Sequence, residues 1–332
     1  MTALGISCPF MHLFGLEPYV AFLREAEQRG YHTAWVGETA ASDAVATMTV
    51  VVTHTTRLAV ASGVIPLQTR TPTVHAMAAA TLARLAPGRV GLGLGLSSPV
   101  IVGDWNGLRY SPELDQLREA VRIIRGLVAG ERVTLDGRFY RVRNVRLLAP
   151  PPATPPKIIL AALGPRALEL AGEIADGVLL NWIGPEQVTA SMRHLEAGAR
   201  RAGRTLDGFE VAAFVRVCAT DDAEPARQAL AREITPYATV PSYARFFRDS
   251  GFAPEVDAVQ AAWKSGDRAG AVQKLSARML DALGVVGTDD ACRTRMADFA
   301  RSGLTMSVVV PFTADGAGDP RAAIVRTMRA FP

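Results

Sequence analysis

Arg89–Val90–Gly91–Leu92–Gly93–Leu94–Gly95–Leu96–Ser97–Ser98–Pro99 alternates glycine and leucine with a period of two. That is the repeat of a β-strand that turns its leucines to one face and its glycines to the other. Glycine inside a strand forfeits packing, so three on one face mark a place where something comes close to the backbone. The stretch ends in Ser97 and Ser98, where two hydroxyls and free amides can hold an anion. We read it as the cofactor end of a parallel barrel. A dinucleotide fingerprint of the Gly-x-Gly-x-x-Gly kind fails on register, because Leu96 and Ser98 stand where the third glycine belongs. A tightly packed strand whose glycines merely admit a helix stays open as a reading.

Outward from this stretch, short apolar strands alternate with helices. Strands are expected at 4–8, 32–37 and 57–64 before it, with helices at 17–29, 44–54 and 72–85. After it, Leu114, Leu117, Val121, Ile124 and Val128 recur at three- and four-residue spacing and predict an amphipathic helix over 112–130. Asp136 and Gly137 between alternating arms predict a hairpin with a two-residue turn at 132–142. The proline-dense segment 150–156 is a surface connector. Strands follow at 157–162, 177–182, 209–217 and 304–310, with helices at 165–175, 185–201, 289–301 and 320–330. About eight strand–helix units predict a (β/α)8 TIM barrel. The runner-up, a doubly wound open sheet, wants a glycine-rich turn after the first strand, where this chain has Pro9, Phe10, Met11 and His12. Residues 1–332 read as one domain with an insertion at about 236–281, where the rhythm breaks and Tyr243, Phe246 and Phe247 cluster.

A chain of 332 residues, 49% hydrophobic and 20% charged, suits an enzyme with a large core. No apolar run reaches the ~18–20 residues of a membrane span, and no charged-then-apolar leader opens the chain, so a cytoplasmic protein is expected. The net charge of +4 is spread out: lysine occurs only at Lys157, Lys264 and Lys274, and arginine is scattered over the helices. That excludes a nucleic-acid-binding stripe. Cys8, Cys218 and Cys292 form no paired motif, so neither a disulfide framework nor a metal site is indicated. No Ser/His/Asp set falls at plausible strand ends.

Placing the strands puts particular residues at their C-terminal ends, where barrel enzymes keep their chemistry. These are Trp35–Val36–Gly37–Glu38, Ser62–Gly63–Val64–Ile65–Pro66, Arg70–Thr71–Pro72, Gly95–Leu96–Ser97–Ser98–Pro99 with Trp105–Asn106–Gly107, Ala161–Ala162–Leu163–Gly164–Pro165, and Leu170–Ala171–Gly172–Glu173–Ile174–Ala175–Asp176–Gly177. With these pieces in order, the chain resembles the luciferase-like monooxygenase superfamily, and within it the coenzyme F420-dependent oxidoreductases. The resemblance implies a deazaflavin ring in the barrel mouth, buttressed by a bulge with a cis peptide at Gly63–Val64. It implies cofactor contacts at Gly63, Val64, Gly95, Leu96, Ser97, Ser98, Ala161, Ala162, Leu163 and Gly164. Glu38 and His12 are the candidate catalytic residues, each also readable as an ordinary loop side chain. Arg70 meets the cofactor's acidic tail or is a solvated loop residue. Cys8 and Trp182 are expected to line the cavity, with Asn181 beside them, and Gln68 to bond a ring carbonyl.

Two departures narrow the branch. Alcohol and sugar-phosphate dehydrogenases of this type carry a histidine where this chain has Thr39, and the latter a glutamate where it has Ser97 and Ser98. The chain looks nearer to the methylenetetrahydromethanopterin reductase-like branch, which implies hydride transfer between reduced F420 and a small substrate with an electron-poor double bond. The alternative is an FMN-dependent monooxygenase using reduced flavin and oxygen; a third is a cofactor-binding protein without catalysis. A homodimer is expected on the small-residue helices 44–54 and 72–85, with an F420 or flavin reductase as supplier of reduced cofactor. The insertion is expected to control substrate access.

Overall fold

Eight short strands of β-branched, small and aliphatic residues are buried on both faces, the pattern of an all-parallel sheet covered by helices. In the computed structural model, which describes residues 2–316 and 318–332, they are β1 (Ala3–Ser7), β2 (Thr33–Val36), β3 (Ala59–Ser62), β4 (Val90–Gly95), β5 (Lys157–Ala161), β6 (Gly177–Asn181), β7 (Glu210–Ala219) and β8 (Met306–Pro311). Each pairs in parallel with the next, and β8 returns to β1, so the sheet closes into the expected (β/α)8 barrel. Alternate residues fill the interior: Trp35, Ala61, Ile159, Leu179, Ala212, Met306 and Val308 pack there. The residues between them, such as Ala34, Val60, Leu160 and Val178, meet the helical shell.

The glycine strand shows what approaches its backbone. Leu92 and Leu94 of β4 pack into the shell, and Gly91, Gly93 and Gly95 face inward. A Cβ on Gly93 would stand 1.9 Å from the Ser62 carbonyl oxygen, and one on Gly95 2.8 Å from Val64 Cγ2. The close neighbour is therefore the chain itself, the bulge that ends β3. Ser62 Oγ staples the two strands, accepting from Gly93 N at 2.7 Å and donating to Gly93 O at 2.9 Å. The Gly63–Val64 peptide is cis, as expected from the resemblance. Beyond it, Ile65–Pro66 pairs again with β4.

The helix at Pro72–Leu85 starts where the sequence indicates, with Thr71 capping Val74 N and Pro72 in the first turn. Its His75 is 1% exposed, and Nε2 donates to the Leu67 carbonyl at 3.3 Å, fixing the turn before Arg70. Burial pushes this imidazole from 6.5 down to about 4. The unfolded chain takes up that proton near the ordinary value and the folded one only near the lower value. The neutral ring's contribution is thus complete above pH 6.5 and is lost as pH falls toward about 4. At 1.36 kcal/mol per unit, the loss reaches about 3 kcal/mol. Urea unfolding across that window is expected to steepen accordingly, and His75→Gln to flatten it.

Three features depart from the sequence reading. The hairpin strands are Val133–Asp136 and Arg141–Val145, joined by four residues instead of two. The cause is Glu119, whose carboxylate accepts from the amides of Arg138, Phe139 and Tyr140 and draws the loop around itself. A helix at Ala223–Tyr237 was not foreseen; it leads into residues 236–281, which form short helices at Pro241–Phe247, Arg248–Phe252, Ala253–Lys264, Arg268–Val272 and Ala277–Leu283. Together with Ala223–Tyr237 they share a separate apolar cluster around Ile234, Phe247, Val256 and Met279. A strand, Gly284–Gly287, then pairs with the end of β7. Among the described residues no helix is long and apolar enough to cross a membrane, and no His/Cys/Asp/Glu group could hold a metal.

Candidate active site at the barrel mouth

At the C-terminal ends of the strands, Gly63, Val64, Gly95 and Ala161 come together as an apolar floor: a Cβ on Gly95 would touch Val64 and lie 3.3 Å from Ala161 Cβ. Beneath Gly63 lie Trp35 and Phe214, edge to face at 6.0 Å and 86°. A Cβ on Gly63 would reach within 2.6 Å of Phe214 Cζ and 3.1 Å of Trp35 Cε3. The two rings thus set the height of the floor, while Gly63 and Val64 are half-buried and face the mouth.

Two turns of open backbone flank this floor on adjacent strands. After β4, Ser97 adopts φ +62°, and its carbonyl accepts from Tyr110 OH at 3.4 Å. Ser98 Oγ accepts from Ile101 N, opening a π-helical turn at Val100–Trp105. After β5, Gly164 begins the helix Pro165–Ile174, which has no side-chain cap, and space is open where a Gly164 side chain would go. Among the described residues the amides of Ser97, Ser98, Leu163 and Gly164 have no acceptor. Unpaired amides beside a helix N-terminus favour an anion. A flat apolar ring with a phosphate fits this floor and these turns.

Glu38, at the end of β2, faces a polar recess of about 350 Å³ lined also by Thr39, Ser42, Asp43, Thr69 and Asn106. Arg70 clasps it with two bonds, 2.5 Å to Oε1 and 2.8 Å to Oε2, and also pairs with Asp43. The Ala44 amide donates to Oε2 at 3.0 Å. Hydrogen bonding to Glu38 raises the Arg70 pKa still further, so the guanidinium is a fixed cation. Arg70 is therefore not a solvated loop residue; three of its five N–H donors are taken by Glu38 and Asp43.

His12 is exposed on the short helix Met11–Phe14 and has no hydrogen-bond partner among the described residues. Leu96 and Ala162 turn their side chains to the helical shell and bring only backbone to the mouth. Cys8 does not line the cavity. Gly5 faces the interior, so the even-numbered positions point outward; Cys8 is fully buried in the shell, where Tyr19 OH donates to its carbonyl. Gln68 donates to Ser111 O and Gln116 instead of reaching inward. The sequence reading missed Arg216. It lies on the inward register of β7, donates to Asn181 Oδ1, and stacks on Trp182 with 3.8 Å from Cζ to the ring. A lone charge within the apolar run from Val211 to Ala219 was the signal. Over this wall, Tyr243 of the insertion accepts from Asn181 Nδ2 at 2.8 Å.

The comparisons with known proteins agree with this architecture. A Mycobacterium tuberculosis protein named as a coenzyme F420-dependent oxidoreductase is 31% identical, over 94% of this chain and 96% of its own. A 5,10-methylenetetrahydromethanopterin reductase of Methanolobus tindarius is 30% identical, over 86% of this chain and 88% of its own. The solved coenzyme F420-dependent tetrahydromethanopterin reductase of Methanopyrus kandleri shares the fold, with a TM-score of 0.81 at 23% identity over 99% of this chain and 98% of that one. The model of one family, described as luciferase-like monooxygenase, matches residues 4–306, and the chain belongs to that family.

Proposed function

We propose that the chain is a coenzyme F420-dependent oxidoreductase acting on a small organic substrate with an electron-poor double bond. The carrying observation is the pairing, on adjacent strands, of the Val64, Gly95 and Ala161 floor with the unpaired amides of Ser97, Ser98, Leu163 and Gly164. Relatives about 30% identical over most of their length, named for F420 or for a reductase, support the same reading. When bound, a reduced deazaflavin supplies a hydride from a ring carbon and reacts little with oxygen.

The chain's own residues then do the positioning. Val64 and Gly95 would bear the ring, and the two turns would hold its phosphate by backbone donors. Glu38, held by Arg70 and Ala44, orders the loop beside the ring. His12, on the solvent side of the rim, supplies the proton. The insertion controls access, with Tyr243 closing over Asn181. A second copy seats on the helices Ala44–His54 and Pro72–Leu85; Val74, Met77 and Leu85 lie 40%, 48% and 53% exposed along the latter. The protein works in the cytoplasm beside a separate reductase that returns the cofactor to its reduced form.

Anaerobic mixing of the protein, reduced F420 and cyclohexenone is expected to restore the oxidised deazaflavin absorbance at the rate seen in air. Reoxidation that requires oxygen contradicts the proposal.

A further inference from the structure

Arg216 is 8% exposed and is the one buried arginine among the described residues. Its surroundings leave its donors largely unsatisfied. One guanidinium nitrogen donates to the neutral amide of Asn181, and Nε has no acceptor. The one carboxylate near it, Glu233, forms a loose ion pair at 3.8 Å, beyond hydrogen-bond reach, and is itself 43% exposed to solvent. A buried cation is stable only when paired and fully hydrogen-bonded. Beside it, Trp182 is 1% exposed, and its Nε1 is a second buried donor without an acceptor. Trp182 also holds φ +52°, a strained conformation for a bulky side chain and one that tends to persist at working sites.

The position of this group in the barrel says what it faces. Phe214, two residues earlier on the same inward register, lies against Gly63 of the floor. Arg216 therefore stands one layer higher, at the level of the space above the floor. In the closed ring of strands, β7 is opposite β3, and the phosphate turns belong to β4 and β5. Tyr243 and Tyr237 roof the wall, edge to face at 4.8 Å.

We propose that Arg216 anchors the carboxylate of the substrate, which is a small aryl or unsaturated carboxylic acid. A single buried cation matches one negative charge. Among the described residues no second buried lysine or arginine lies on β6, β7 or the roofing helix Pro241–Phe247, whose Arg245 is exposed, to help hold a dianionic phosphate. The guanidinium fork offers a carboxylate two parallel bonds, and the half-buried Tyr237 and Tyr243 rings offer its apolar part a wall. This rests on reading the mouth as the substrate chamber of an F420 enzyme, and it names the class of that substrate.

The test compares cinnamate with cinnamamide, its neutral isostere, by calorimetric titration of the full chain without cofactor. Cinnamate is expected to bind at least about tenfold more tightly, and Arg216→Gln to remove that preference. F420 affinity measured separately is expected to change by no more than about twofold in Arg216→Gln, because the cofactor turns lie on other strands. Inorganic phosphate is expected to displace cinnamate no better than chloride. Should Arg216→Gln fold poorly, Asn181→Asp supplies the guanidinium with an internal anion and is expected to abolish the preference in its place. Equal binding of acid and amide, a preference that survives both variants, no binding of either ligand, or phosphate binding tighter than cinnamate overturns the proposal. Loss of F420 binding in Arg216→Gln also overturns it, by assigning the arginine to the cofactor. A parent protein that ignores F420 defeats the cofactor reading alone, since the acid–amide comparison is made without cofactor.

Discussion

Gly93→Ala is expected to destabilise the protein by about 3 kcal/mol or more and to abolish cofactor binding in what still folds. The added methyl would stand 1.9 Å from the Ser62 carbonyl oxygen, a backbone atom that cannot rotate away. Either β3 and β4 separate, breaking the Ser62 Oγ staple to Gly93, or the bulge carrying Gly63 and Val64 moves into the mouth. Gly198→Ala is the matched control. Its Cβ would stand 1.8 Å from the Glu169 carbonyl oxygen, where the helices Pro165–Ile174 and Pro185–Arg201 cross on the outside. A comparable loss in urea midpoint is expected there, with cofactor affinity retained by the folded fraction. Equal effects of both variants on binding would show that stability alone explains the Gly93 result.

Trp35→Ala is expected to cost about 4 kcal/mol, the upper part of the range for truncating a large buried aromatic. The indole is completely buried at the centre of the barrel, and Nε1 points at Met306 Sδ 3.2 Å away. Gly5 and Gly63 approach it from opposite sides, each so closely that a Cβ would lie 3.0 Å and 3.1 Å from its ring. Backbone this close cannot collapse into the void that alanine leaves, so the cavity persists. Trp35→Phe refills most of that volume and is expected to cost about half as much. Urea denaturation of the two variants measures both figures.

The fold was legible because its signals are local and repeated. Strand–helix alternation, proline at the starts of the helices at Pro72, Pro165 and Pro185, and the period-two run in β4 each act within a few residues. The glycines also announced a close approach, but not its partner: Ser62 and Val64 lie about thirty residues away in sequence, beyond any pattern a window can hold. The Glu38–Arg70 clasp is hidden for the same reason, its ends standing 32 positions apart. Cys8 was misplaced by a single step of register, which carries a side chain from one face of a strand to the other. Arg216 was overlooked because one charge in an apolar strand carries no periodicity of its own. Its meaning comes from Asn181, Trp182 and Tyr243, which meet it only in the closed barrel.

The most direct test of the account is a side-by-side equilibrium titration of the purified chain with F420 and FMN, repeated on Gly95→Val. The floor and the two amide turns predict saturable F420 binding that is stronger than FMN binding. They also predict loss of that binding in Gly95→Val, whose side chain would fill the space between Val64 and Ala161. Tight FMN binding without F420 binding, or F420 binding that Gly95→Val leaves untouched, would contradict it.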